Sequence, residues 1–340
     1  MFEFAKNFLV ADIGGTNARF AVIDSKQSII IKKIYKTREK KNFDDVMRSF
    51  IDEVDMLPNR VTIYSACFAI AGSVNNDRQF AQLTNVPWTF DAKEIKKKYG
   101  FKNVIFLNDF EAVGFGIDTL KPNQYTELTS YGHSNTGTIS LIGAGTGLGM
   151  GILVENGKKH LPLPSEGGHM DVFIRPDNSL ELQLYNYLKK KELILDNESI
   201  VSGRGITNIY EFLITKKIKH SKKISTEIKK SNVLEKPSLI TKYALEEKDV
   251  LCLKTMELFT IFYARIAKNL AILTLCSELV IAGGIAPKVI GFLKDGFIES
   301  FKQTSHRHLR NWLENMTILV ITDEDVSLYG AYNALKMMNN

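Results

Sequence analysis

The chain has 340 residues. That is enough for two domains at about 150 residues each, and for burial of about 75% of the surface an unfolded chain exposes. Hydrophobic residues make up 44% and charged residues 24%, which excludes collagen, coiled coil and wholesale disorder. The net charge of +6 suits an anionic small-molecule ligand and does not require nucleic acid.

The first segment, Phe8 to Ile13, is apolar apart from Asp12. Gly14-Gly15-Thr16-Asn17 follows and then Arg19–Ile23, which predicts strand, tight turn, strand. A third strand is expected over Ile29–Tyr35. The spacing of Phe43, Val46, Met47, Phe50, Ile51 and Val54 predicts a helix over Phe43–Asp55. Val61–Ile70 reads as a strand ending at Ala71-Gly72, and Ala92–Tyr99 as a short polar helix. Val104–Leu107 reads as a buried strand ending at Asn108-Asp109.

The second half repeats the theme. Thr138–Ile142 predicts a strand, Gly143–Gly149 a glycine loop and Met150–Val154 a strand. Residues 180–215 and 238–276 read as mainly helical. Leu258, Phe259, Phe262, Ile266, Leu270 and Leu273 form one core-facing stripe. Leu279–Ile281 is a short buried strand, Pro287–Ser305 a helix, Met316–Ile321 a last strand and Ser327–Met338 a closing helix. The lysine-rich stretch 216–230 lacks the aromatic interleaving of a nucleic-acid patch and reads as a solvated helix face or an insertion. Two strand–glycine turn–strand units, at 8–23 and 138–154, imply two similar halves with a ligand cleft between them.

Cys67, Cys252 and Cys276 form no C-x-x-C pair, so neither a zinc ribbon nor a disulfide scaffold is expected. No run of 18 apolar residues occurs and the first residues lack a signal-peptide layout, so no membrane partner and a reducing cytosolic location are expected.

Five segments carry candidate chemistry. In Asp12–Asn17, turn amides can hold phosphate oxygens and the Asp12 carboxylate can hold Mg²⁺ through water, although a plain hairpin turn would read the same way. Gly143-Ala-Gly145-Thr146-Gly147-Leu-Gly149 is not a dinucleotide fingerprint, because Leu148 stands where the last glycine belongs. It is not a Walker A loop either, because no Gly-Lys-Ser/Thr follows. Asp109, past the end of a buried strand, can act as general base toward a hydroxyl or cap the helix that follows. Glu166-Gly167-Gly168-His169 can bring an acceptor and an imidazole onto one ligand, with too few donors for zinc. Ala282-Gly283-Gly284 lets a flat base or ribose lie against backbone, or is a helix-entry turn.

Seven motifs taken in order carry a resemblance: VADIGGTNARFAV, TN-x-PW at Thr84–Trp88, LNDF, GAGTGLG, EGGHMD, ESIVSGRG at Glu198–Gly205, and IAGGIAP. From about Leu9 to Leu335 the chain resembles the bacterial ATP-dependent glucokinases, within the fold group of sugar kinases, chaperone ATPases and actin. The resemblance implies an α/β, two-domain ribonuclease H-like ATPase fold with an interdomain cleft. A small domain of 1–115 plus 323–340 and a large one of 116–322 are expected.

It also implies MgATP-dependent phosphorylation of glucose at the 6-hydroxyl, at the entry to glycolysis, with Asp109 as base. Asn108, Glu166, His169, Glu198 and Asn85 would bind the sugar. Asp12, Gly14, Gly15, Thr16, Asn17, Gly145, Thr146 and Gly147 would bind the phosphates, and Gly283 and Gly284 the base side. No metal is held directly, Mg²⁺ entering with ATP. Relatives are commonly dimers, so a homodimer is expected. The cysteine-rich zinc motif of the related repressor and kinase family does not occur in this sequence, and with so few residues before the first strand no helix-turn-helix is expected. Two stretches depart from the family pattern: 216–236 is longer and more basic, and 323–330 lacks the usual Asn-Pro-Gly. The remaining alternatives are a kinase for fructose, mannose or an amino sugar, a sugar-binding regulator without catalysis, and an actin-like or chaperone-like ATPase.

Overall fold

In the computed structural model, which describes residues 6–84, 86–131, 137–191 and 195–338, Asn7–Ile13 forms β1. Its apolar residues serve both faces: Leu9, Ala11 and Ile13 enter one core, Phe8 and Val10 another. A strand covered on both sides needs such a continuous apolar run. β1 turns back as β2 (Asn17–Ile23), and β3 (Ile29–Lys36) follows β2 antiparallel, its exposed face alternating. The helix expected from spacing forms as α1 (Phe43–Asp55). Asn42 caps it by accepting from the Asp45 amide at 3.0 Å, and Phe43, Val46, Met47, Phe50 and Val54 are buried.

β4 (Ile63–Ile70) lies parallel to β1, beginning two residues later than the sequence suggested. A three-stranded meander, β5 (Gly72–Val74), β6 (Phe80–Leu83) and β7 (Thr89–Asp91), was not expected; its strands are too short to show periodicity. α2 (Ala92–Tyr99), capped by Asp91, leads to β8 (Asn103–Asn108), which pairs parallel to β4. α3 (Asp109–Gly116) follows without a break. The sheet order is β3-β2-β1-β4-β8. One face carries an aromatic cluster of Phe20, Phe43, Phe50, Phe68, Phe90 and Phe106. The other carries α3 and the closing helix Val326–Met338 through Phe115, Leu328, Ala331 and Tyr332.

This first unit comprises Met1–Lys121, Lys159–Pro164 and Asp323–Asn340; the second comprises Pro122–Lys158 and Ser165–Thr322. Residues 116–121 and 159–164 thus group with the first unit, whereas the sequence reading gave them to the second.

In the second unit β9 (Tyr125–Thr129) was also unexpected. β10 (Ile139–Ala144) and β11 (Leu148–Asn156) form the anticipated hairpin. The next strand, β12 (Lys159–Leu163), belongs to the first unit, where the His160 ring bonds Asp118 at 2.8 Å. β13 (Glu278–Ala282) and β14 (Thr317–Ile321) complete the order β11-β10-β13-β14-β9. β10, β13 and β14 are parallel. Each unit therefore contains an antiparallel hairpin continued by two parallel strands, the repetition the two glycine turns implied.

The helices of this unit are α4 (Ser179–Lys189), α5 (Gly203–Ile214), α6 (Lys222–Lys230), α7 (Lys236–Leu245) and α8 (Val250–Thr274). In α6 the lysines face solvent while Ile224 and Ile228 are buried, as a solvated helix face requires. α8 buries Leu258, Phe259, Phe262, Ile266 and Leu270, but Leu273 is 72% exposed. It sits in the last turn, beyond the reach of the core. The helix expected over Pro287–Ser305 is interrupted. α9 (Ile290–Phe292) and α10 (Ile298–Lys302) flank a π turn at Leu293–Phe297, and the run ends at Lys302. A separate α11 (Arg307–Glu314) precedes β14. Among the described residues no helix is long and apolar enough to cross a membrane.

Candidate active site

In the first unit the functional side chains gather at the carboxyl ends of β1, β4 and β8. Ile13 pairs with Ile70, and Ile70 with Asn108. Asp12 and Asp109 therefore emerge from one sheet edge two strand spacings, about 10 Å, apart. Ligands of open α/β sheets bind outside such ends.

The turn after Asp12 is held firmly. Gly14 donates to the Asn17 carbonyl at 2.9 Å. The buried Thr37 clasps it from behind, Oγ1 donating to Gly14 O at 2.7 Å and its amide to Thr16 O at 3.0 Å. Gly15 is partly exposed, and Thr16 and Asn17 are exposed. Arg19, opposite Asp12 in the hairpin register, forms an ion pair with Asp12 Oδ2, and Ser327 Oγ donates to the same oxygen at 2.7 Å. Asp12 Oδ1 receives no hydrogen bond among the described residues. A hard carboxylate oxygen with one open position fits a water of a hydrated Mg²⁺ ion, which keeps most of its shell.

At the β8–α3 junction the cap is Asn108. Its Oδ1 accepts from Phe110 N at 2.9 Å and Glu111 N at 3.3 Å, and its Nδ2 donates to Gly72 O at 3.3 Å. Asp109 is the first helical residue, its Oδ1 accepting from Phe110 N at 2.9 Å. The capping role that Asp109 could have filled thus belongs to its neighbour. Asn108 keeps one amide N–H for a ligand oxygen. Glu111 closes the box by accepting the Asn108 backbone N–H, and its other partner is Arg78 at 2.7 Å. Burial pushes the Glu111 carboxyl above its usual range, an effect that Arg78 and the Asn108 amide only partly oppose.

In the second unit the turn between β10 and β11 is braced from four directions. Ala144 N donates to Tyr263 Oη at 3.2 Å, Gly203 N to Gly145 O at 2.8 Å and Ile285 N to Ala144 O at 3.2 Å. Leu148 N donates to Glu198 Oε2 at 3.0 Å. A Cβ at position 147 would meet that Glu198 oxygen, so any larger residue there would have to displace the carboxylate from Leu148 N. Thr146 stands exposed at the tip.

The Glu166–His169 segment joins the same place. Asn197 N donates to Met170 O at 2.8 Å, and Asp171 and Asp196 form an isolated antiparallel bridge. His169 Nδ1 donates to Asp196 Oδ2 at 2.8 Å, with Glu198 and Glu166 also facing the ring. Glu166 and His169 are exposed and open to a ligand. Beyond β13, Gly283 has φ +85°, and a Cβ there would run into the Ala144 carbonyl oxygen, so a side chain would not fit. Gly284 lines a cavity of about 190 Å³ with Pro237, Thr241, Leu245, Ile285 and Lys288. A larger depression of about 390 Å³ in the first unit, beside Gln79, Lys93 and Asn103, touches no residue singled out above.

The structure thus gathers Asp12, Gly14, Gly15, Thr16, Asn17, Asn108 and Asp109 at one sheet edge. It gathers Gly145, Thr146, Gly147, Glu166, His169, Glu198, Gly283 and Gly284 around another. Asn85 lies outside the described residues. Sequence reasoning missed Thr37, Ser327, Asp196, Tyr263 and the Arg78–Glu111 pair, all remote in sequence from what they hold. The Arg19 ion pair was also missed, although its place opposite Asp12 across a short turn could have shown it.

The Glucokinase family model matches residues 9–338. Glucokinases of Nostoc punctiforme and Trichormus variabilis are 33% and 34% identical, each comparison covering 95% of this chain and 97% of the relative. Among solved structures, a glucokinase from an Antarctic psychrotroph has a TM-score of 0.79 at 25% identity, over 98% of this chain and 99% of that one. A ROK family glucokinase from Streptomyces griseus, in complex with glucose and AMPPNP, shares the fold at a TM-score of 0.67 and 17% identity, over 97% and 99%. Match, relatives and fold agree over nearly the whole length: the chain belongs to the glucokinase family.

Proposed function

We propose that this chain transfers the γ-phosphoryl group of ATP to the 6-hydroxyl of glucose, with Asp109 as general base. The observation that carries the reading is the Glu198 bond to Leu148 N beside His169 and Glu166. It joins acceptors suited to sugar hydroxyls with a glycine turn suited to phosphate. Asp109 takes the hydroxyl proton as that oxygen bonds the γ-phosphorus. The bond from the γ-phosphorus to the bridging oxygen breaks, and ADP leaves.

Asn108, Glu166, His169, Glu198 and Asn85 hold the ring in the orientation that exposes the 6-hydroxyl. Amides of the 14–17 and 145–147 turns hold the phosphates, and the cavity at Gly284 takes the base. Mg²⁺ bound with ATP supplies charge neutralisation of the phosphates, Asp12 holding one of its waters. Family membership is also the ground for placing the enzyme in the cytoplasm, in glycolysis, as a homodimer.

Coupled ADP-release assays with MgATP across glucose, fructose, mannose and glucosamine test the proposal. Glucose is expected to give the highest kcat/KM. A better acceptor among the others would reassign the hexose, and sugar-independent ADP release would replace the kinase by an ATPase.

A further inference from the structure

We infer that Asp196 is a positioning residue for sugar recognition: it takes the Nδ1 proton of His169 and so commits Nε2 to a hexose hydroxyl. This rests on the reading of His169 as a sugar ligand and adds a residue that the sequence did not mark.

The pair is built into the fold. Asp196 Oδ1 accepts from Ser199 N at 2.8 Å and Ser199 Oγ at 2.6 Å, while Oδ2 faces His169 Nδ1 at 2.8 Å. The Asp196 side chain is 17% exposed and the His169 side chain 58%, so a fixed carboxylate holds an accessible ring. The Asp171–Asp196 bridge and the Asn197–Met170 bond lock the two segments backbone to backbone. A carboxylate can only accept, so Nδ1 must carry a proton, and Nε2 is left on the far side of the ring.

The charged groups around the ring are Asp196, Glu198 and Glu166, with Arg204 at 3.9 Å from Asp196 and 3.8 Å from Glu198. The bond to Asp196 raises the imidazole pKa above its ordinary value against a smaller loss from burial, and the two glutamates push the same way. Below that pKa Nε2–H donates a charge-assisted bond to the sugar, and above it Nε2 only accepts. The KM for glucose is therefore lowest on the acid side and rises as pH passes the His169 pKa.

Asp196→Asn keeps the size and an acceptor for Ser199 but removes the charge. Steady-state kinetics of the wild type, Asp196→Asn and His169→Gln from pH 5.5 to 9 test the inference. A parallel NMR titration of the His169 ring in ligand-free protein is assigned by His169→Gln. Asp196→Asn is expected to lower the His169 pKa, move the KM rise to lower pH in step with it and leave kcat at its plateau nearly unchanged. An unchanged KM profile in Asp196→Asn, with glucose binding weakened in His169→Gln, overturns the positioning role and leaves the sugar reading standing. An unchanged glucose KM in His169→Gln removes both. Should Asp196→Asn not fold, the wild-type titration decides, and an ordinary imidazole pKa for His169 overturns the inference.

Discussion

Asp109 and Asn108 divide two jobs that either residue type could do. Asn108 spends its amide oxygen on the helix cap, so removing the charge at 109 should leave the β8–α3 junction intact. Asp109→Asn is expected to lower kcat by at least about 10²-fold, the scale of general-base catalysis, with glucose affinity by calorimetry nearly unchanged. Wild-type turnover in that variant would move the base elsewhere. At this scale, legibility follows sequence distance. Asp12 and Arg19 face each other because a short turn puts residues seven apart in register, which can be counted along the chain. His169 and Asp196 meet only because a bridge between their segments forms, and no periodicity announces it.

Among the elements, those with strong local patterns were the ones the sequence showed. α1 and α2 match their expected bounds, because the apolar spacing of α1 and the Asn or Asp caps act within a few residues. The β5–β7 meander did not show, since strands of three or four residues take their shape from neighbours. The π turn at Leu293–Phe297 was equally silent. The meander matters to the site, because the turn joining β5 to β6 delivers Arg78, at φ +59°, to Glu111 on α3.

Glu111 is 8% exposed, so Arg78→Met leaves its carboxylate buried without a counter-charge. The expected loss of unfolding free energy at pH 8 is about 3 kcal/mol. The folded-state pKa of Glu111 is already raised by burial and rises further without Arg78. A raised pKa contributes stability that is present at low pH and lost as pH rises through the folded value, so the deficit should shrink on acidification. Urea unfolding at pH 8 and pH 5.5 measures this, and an equal deficit at both would show that the loss arises from packing instead.

On the scale of the molecule, the repeated hairpin with two parallel strands was readable from two glycine turns about 130 residues apart, a spacing near one domain length. What each half buries was less so. In the second unit Arg265 on α8 makes a two-point bond to Glu181 on α4, at 2.7 and 2.8 Å, with both side chains nearly inaccessible. Helical spacing placed an arginine on that helix but gave no sign that it faced inward. Arg265→Met is expected to destabilise by about 3 kcal/mol, read by denaturant unfolding, because the buried Glu181 would lose its two-point counter-charge and keep only the bonds from Arg175 N and Asn178 Nδ2. A loss within about 0.5 kcal/mol, the scale of surface substitutions, would mean the pair is hydrated in solution.

The turn at residues 144–148 takes its shape from Glu198, Gly203, Tyr263 and Ile285, the last of them far downstream. A nascent polypeptide still on the ribosome, with Ile285 yet to emerge, carries the letters of that turn without its geometry. The nucleotide affinity proposed for this turn therefore arrives late in synthesis, when its last brace has left the exit tunnel.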